Sequence, residues 1–239
     1  MQNVFNVLYP QQCILCDARV DGDNGLCGPC WREMPFIAGS ACYACGAPLM
    51  GEAVGDEHAY CDDCMAMPRP WRNGAAALLY KDNGRRVVLA LKHGDRQDLV
   101  PAAAKWMAGR LRAPLDPETL LVPIPIHWRR MLKRRFNQSA VLTQALARAN
   151  PTVALPDALV RLRHTPVQDG LTLDGRFANQ HGAFAVRPGR EKVLAGRRVV
   201  LVDDVMTSGA TLAAATEVLR ATGVTSVDVL TLARVVKDT

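Results

Sequence analysis

Short, wholly apolar runs set the rhythm of this chain. Val199-Val200-Leu201-Val202 has no polar position, and Gly74 to Tyr80 (GAAALLY) and Leu120 to Ile124 are nearly as apolar. A strand with one wet face alternates, whereas a strand covered on both faces does not. These runs therefore predict buried parallel strands. Between them, 85–93 reads as an amphipathic helix after a turn at Asp82-Asn83-Gly84, and 99–111 and 139–149 read as further helices. Residues 150–190 read as irregular, with short strands near Leu159 and Phe184. A helix at 209–221 and a last strand at Ser226 to Val235 complete the pattern. Strands alternating with helices predict an α/β fold, a parallel sheet with helices on both faces, whose ligands sit beyond the C-terminal strand ends.

Residues 1–70 break that rhythm. All eight cysteines lie there, in four C-x-x-C pairs. In such a pair both thiolates reach one tetrahedral metal, and two pairs close a four-thiolate site. The spacings suit consecutive pairing: Cys13, Cys16, Cys27 and Cys30 on one Zn2+, and Cys42, Cys45, Cys61 and Cys64 on a second. Interleaved pairing and iron–sulfur ligation are the alternatives. Small ribbons have almost no core, so the zinc role is structural, contributing roughly 10–16 kcal/mol of binding energy to folding. His58, beside four available thiolates, reads as a surface histidine. Met67-Pro68-Arg69-Pro70 reads as a short extended linker to the second part, 71–239.

Charge divides along the same line. Residues 1–70 hold nine acidic and three basic side chains, net −6, while 71–239 hold 14 and 26, net +12; the sum is the chain's +6. Nucleic-acid backbones are bound by cations. Any nucleic-acid contact is therefore expected from the basic C-terminal part, and the acidic ribbon is a poor match for a phosphate backbone. Aromatics make up only 5% of residues, which argues against an extended base-stacking platform. No apolar run approaches the ~20 residues of a membrane span, and no signal peptide is evident at the N-terminus. A cytoplasmic location is the expectation.

The candidate chemistry centres on Asp203-Asp204-Val205-Met206-Thr207-Ser208-Gly209-Ala210-Thr211. Two carboxylates follow a buried strand, and a hydroxyl- and glycine-bearing loop leads into a helix. Backbone N–H groups converge at such a helix start and suit an anion. Thr207, Ser208 and Thr211 can donate to its oxygens, and Gly209 allows close approach. Asp203 and Asp204 only accept, so they suit sugar hydroxyls or hydrated Mg2+. A second constellation follows Val122-Pro123-Ile124-Pro125: His127, Arg129, Arg130, Lys133, Arg134 and Arg135, then Phe136-Asn137-Gln138. Arg129, Arg130, Arg134 and Arg135 are candidates for pyrophosphate or DNA backbone. A solvated basic face is the alternative. Lys92 and His93, at a helix end, read as caps to the helix dipole.

The 203–211 run resembles the phosphoribosyl pyrophosphate (PRPP) signature of type I phosphoribosyltransferases. That resemblance implies that 207–211, Ala210 included, holds the 5-phosphate. It also implies that Asp203 and Asp204 hold the ribose 2- and 3-hydroxyls, with Mg2+, and are the catalytic pair if the chain turns PRPP over. With the four cysteine pairs, Leu91-Lys92-His93-Gly94, V-P-x-P, Thr165-Pro166-Val167-Gln168 and Arg176-Phe177-Ala178-Asn179, the whole chain is similar to the ComF/GntX (competence protein F-like) family. The resemblance implies a double zinc ribbon, a type I phosphoribosyltransferase-like domain, and a role in uptake or use of external DNA; single-stranded DNA is then the expected partner of the basic part, and a helicase or DNA-translocation protein that of the acidic ribbon. It makes Gln168, Arg176 and Asn179 candidates for a mobile flap. Arg135 stands where the family usually has glycine in R-G-F-N-Q. An active phosphoribosyltransferase acting on an unidentified base is the alternative function.

Overall fold

The computed structural model describes residues 11–20, 25–51, 58–93, 96–128, 131–132, 136–163 and 172–236. Five parallel strands form the central sheet: β1 (Gly74–Leu79), β2 (Thr119–Pro123), β3 (Val153–Ala154), β6 (Arg198–Met206) and β7 (Ser226–Arg234), in the order β1-β7-β6-β2-β3. A separate antiparallel pair, β4 (Leu159–Arg161) and β5 (Phe184–Val186), lies over one face.

The apolar run in β6 explains why both faces are covered. Val200 and Val202 pack with Leu121, Leu230 and the helices Asp82–His93, Val100–Ala108 and Gln138–Ala149. Val199 and Leu201 point the other way, into Leu212, Leu219, Phe184 and Leu194. β2 leads outward to β3, whereas β6 leads back to β7 and β1. The strand order thus reverses between β2 and β6, and a crevice opens at their C-terminal ends.

The sequence expectations hold for the strands and most helices, with instructive differences. Asp82-Asn83-Gly84 is the first turn of the Asp82–His93 helix, not a separate turn. Gly84 is required because a Cβ there would lie 2.3 Å from the Leu79 carbonyl oxygen. The 99–111 helix is a 3-10 turn, Gln97–Leu99, followed by an α-helix, Val100–Ala108. The signature strand extends past Val202 to Met206, so Asp203 and Asp204 lie within the ladder, Asp203 opposite Thr231 of β7. The expected irregular stretch contains a helix, Leu173–Gln180, started by the Thr172 hydroxyl accepting from the Gly175 N–H at 3.2 Å.

The cysteine-rich part is strapped to the sheet edge. Residues 35–37 run antiparallel to β1: Ile37 N–H donates to the Ala77 carbonyl and Leu79 N–H to Pro35. This pairing covers an otherwise open edge. Gly46, at φ +70°, lies so close to β1 that a Cβ would stand 2.6 Å from the Ala76 nitrogen. The Trp71 indole N–H donates to the Ala44 carbonyl at 2.6 Å. Cys42, Cys45, Cys64 and Trp71 share one apolar cluster with Val227 and Val229 of β7.

Near the N-terminal ends of β6 and β7, away from the crevice, Asp228 is 2% exposed. It accepts both forks of Arg72 (2.9 and 2.6 Å), Arg198 Nε (2.9 Å) and Asn73 Nδ2 (2.8 Å). Removing the carboxylate strands buried donors, which costs about 3–5 kcal/mol. Asp228→Ala is expected to lower the urea midpoint accordingly, while Arg72→Ala, whose side chain is half exposed, costs less.

Candidate functional site

The site forms where β6 ends beside β2. The Asp203 Oδ1 atom accepts from the Ser139 hydroxyl at 2.8 Å and from the Asp204 N–H at 2.9 Å. Ser139 is placed by the start of the Gln138–Ala149 helix, where the Asn137 carboxamide oxygen accepts from the Ser139 N–H at 3.1 Å. The Asn137 amide also donates to the Ile124 carbonyl at 3.0 Å, tying the two ends of the 125–137 segment together. Asp204 Oδ2 pairs with Lys92 Nζ at 3.2 Å, with both side chains largely buried.

Lys92 is therefore no mere helix cap. The Asp82–His93 helix runs alongside the sheet and delivers its last turn to the acidic pair. Burial pushes the Asp203 carboxyl up to about 7, and the neighbouring Asp204 charge adds to the rise. Ser139, the Asp204 N–H and Lys92 pull it back.

The turn after β6 is held from behind by arginine. Arg234, 4% exposed on β7, donates through Nη1 to the Thr207 carbonyl at 2.6 Å and also contacts Met206 O and Val235 O. Arg69 Nη1 donates to the Ser208 carbonyl at 2.8 Å. Gly209 has φ +83° at the N-cap of the Ala210–Arg220 helix, where no side chain caps the helix. A Cβ at Gly209 would meet the Trp71 ring at 3.0 Å, so glycine is required by the linker packed behind it as well as by φ. The Ser208 hydroxyl makes a long contact of 3.4 Å with the Ala210 N–H. Apart from that long contact, the first-turn N–H groups have no side-chain cap, and they lie beside a shallow hollow lined by Asp203, Thr207 and Thr211.

The cysteines gather as two clusters, Cys13/Cys16/Cys27/Cys30 and Cys42/Cys45/Cys61/Cys64, each with all four Sγ atoms within 4.8 Å of one another. Cys16 and Cys27 Sγ lie 3.5 Å apart, and Cys45 and Cys61 Sγ 3.6 Å. A tetrahedron with Zn–S bonds of about 2.3 Å has edges near 3.8 Å, so the donor set fits zinc. Crowding splits the thiols: hydrogen bonds from Cys45 and Cys64 hold Cys42 far below the usual thiol range, and burial lifts Cys61 to about 11. His58 is exposed, outside the cluster, and stacks on Tyr43 with ring centroids 3.6 Å apart.

Other candidates fall elsewhere. Arg129, Arg130, Lys133, Arg134, Arg135 and Gln168 lie outside the described residues. Arg176 and Asn179 sit on the Leu173–Gln180 helix, which packs against the Ala210–Arg220 helix through the partly buried Phe177. They are thus carried by a docked helix, not by the unpatterned loop expected of a flap. Ser139, Arg69 and Arg234 were not singled out by the sequence. For Lys92 the signal was its place in Leu91-Lys92-His93-Gly94.

Residues 4–65 match a double zinc ribbon domain, and residues 139–239 match a phosphoribosyl transferase domain. Competence protein F of Haemophilus influenzae is 28% identical across 98% of this chain and 100% of its own length. Over nearly its whole length the chain is thus similar to competence protein F, with a double zinc ribbon followed by a phosphoribosyl transferase domain. A second relative, the DNA utilization protein YhgH of Escherichia coli K12, is 29% identical across 94% of this chain and 97% of its own. Among the described residues no helix is long and apolar enough to cross a membrane.

The Asp203 carboxyl sets a pH dependence. Its folded value lies above the ordinary 3.8, so the folded protein holds the extra proton. Stability from this group is complete below about pH 4 and is lost as pH rises toward 7. Asp203→Asn is expected to raise the melting temperature more at pH 8 than at pH 5, measured by thermal unfolding at both values.

Proposed function

We propose that this protein binds PRPP with Mg2+ at the crevice between β2 and β6 and acts in the uptake or use of external single-stranded DNA. The observation that carries the ligand assignment is the pairing of Asp203 and Asp204 with Ser139 and Lys92 beside a helix start without a side-chain cap. A phosphate at Thr207–Thr211 takes N–H groups from the first turn and hydroxyls from Thr207, Ser208 and Thr211. The carboxylates accept from the ribose 2- and 3-hydroxyls, and Mg2+, a hard oxygen-seeking cation, neutralises the pyrophosphate. Lys92 balances Asp204 until ligand arrives and then lies at the pyrophosphate side. The eight cysteines hold two structural zinc ions.

The DNA assignment rests on the family. Its named relatives are a competence protein and a DNA utilization protein, and the basic surplus of 71–239 supplies the charge. Arg129, Arg130, Arg134 and Arg135 follow β2 in the sequence and are the candidate contacts to a DNA backbone. The acidic ribbon is left for a protein partner. The reduced thiols fit a cytoplasmic site of action. Transfer of phosphoribose to a base would use the same two aspartates, and pyrophosphate release with a nucleobase panel tests it.

Each assignment has a direct check. Loss of one hydrogen bond to a charged group costs about 1.5–3 kcal/mol, so Asp204→Asn is expected to weaken PRPP–Mg2+ binding roughly 10- to 100-fold by calorimetry. Equal affinity would contradict the site. Anisotropy of a labelled single strand should show salt-sensitive binding that PRPP–Mg2+ alters. Absence of binding at low salt would remove direct DNA contact.

A further inference from the structure

Arg69 lies in the short stretch that leaves the second cysteine cluster, between Pro68 and Pro70, whose rings limit backbone freedom. Its Nε donates to Cys64 Sγ at 3.4 Å, and its Nη1 donates to the Ser208 carbonyl at 2.8 Å. The guanidinium carbon stands 5.9 Å from the centroid of Trp71, whose own N–H is fixed to Ala44 inside the ribbon. A rigid planar group therefore touches a cysteine of the cluster on one side and the phosphate loop on the other.

The loop contact has a directional consequence. The described residues contain no cis peptide, and in a trans peptide the C=O and the following N–H point opposite ways. Holding the Ser208 carbonyl against Arg69 turns the Gly209 N–H away from the ribbon, toward the open side of the loop. Arg234 does the same to the peptide before it through Thr207 O. The first cluster has no such link among the described residues. Its neighbours Ile14 and Met34 pack with the Asp82–His93 side of the sheet, and Arg96 reaches the Ile14 carbonyl.

We propose that Arg69 is a positioning residue that makes the phosphate loop depend on the second cysteine cluster, so that metal held by Cys42, Cys45, Cys61 and Cys64 sets the affinity for a phosphate ligand at Thr207–Thr211. This rests on the PRPP reading for the identity of the ligand, but not for the link itself. A thiolate fixed in a metal tetrahedron is an anchored acceptor, and the guanidinium bonded to it holds Ser208 still. When the tetrahedron opens, Arg69 loses one of its two anchors and the Gly209 amide loses its aim. By reciprocity a bound phosphate ligand must raise the metal affinity of the second cluster by the same factor.

The test uses the full zinc-loaded chain as wild type, Arg69→Ala and Arg69→Lys, with zinc content measured for each. Hydrogen exchange over 207–212 is followed without ligand, before and after chelator treatment, and PRPP–Mg2+ affinity is measured by calorimetry. Arg69→Ala should keep both zinc ions, exchange faster over 207–212 and bind PRPP about tenfold more weakly, the size expected for one charge-assisted hydrogen bond. Arg69→Lys, which keeps charge but not the fork, should fall between and serves if the alanine variant is unstable. Chelation should speed exchange over 207–212 in wild type and add little in Arg69→Ala. Unchanged exchange and affinity in Arg69→Ala would overturn the proposal, and so would an equal chelator effect in both proteins. Exchange that responds as expected in a wild type that binds no PRPP would support the link and overturn the ligand assignment.

Discussion

The peptide planes from Met206 to Gly209 constrain everything at the ligand edge. A strand must end there, a helix must begin, and the amides between them must face outward together. Two arginines acting on successive carbonyls, Arg234 on Thr207 and Arg69 on Ser208, hold that orientation. The helix itself offers no side-chain cap, so its first N–H groups stay available to a ligand. One brace comes from the last strand of the sheet and the other from the chain segment that leaves the ribbon. The loop after β6 is thus held from both parts of the molecule.

This dependence explains why the ribbon is packed so tightly. Gly46 sits against β1 and Gly74 against Ala44, positions where any larger residue would collide with backbone. Residues 35–37 complete the edge of β1, and Asp228 collects Arg72, Arg198 and Asn73 at the far end. The ribbon is therefore a fixed wall of the sheet. Cation pairing near the crevice follows the same economy: Lys92 is spent on Asp204, leaving Asp203 to carry its proton up to about pH 7.

Much of the fold was legible because parallel strands advertise themselves. An unbroken apolar run such as Val199 to Val202 has few other uses, and the four C-x-x-C pairs state their own chemistry. The acidic pair and the 207–211 loop were legible for the same reason, since adjacent acids before such a loop do not serve packing. What sequence could not show were contacts between distant segments. Arg69 meets Ser208 across 139 positions, and Ser139 meets Asp203 across 64. Lys92 looked like a dipole cap because its helix had no known direction relative to β6. Asp82-Asn83-Gly84 looked like a turn because its composition says so, yet the chain needs a helix to begin directly after β1 and spends its glycine on clearance from Leu79.

The central claim is that the amides after β6 form the phosphate site. A backbone amide NMR titration with PRPP–Mg2+ on the zinc-loaded chain tests it most directly. The account predicts saturable shifts that are largest at Gly209, Ala210, Thr211 and Leu212, with smaller ones at Asp203 and Asp204 and none around Cys13 to Cys30. Shifts confined to another surface, or no shifts at ligand concentrations in the millimolar range, would contradict it.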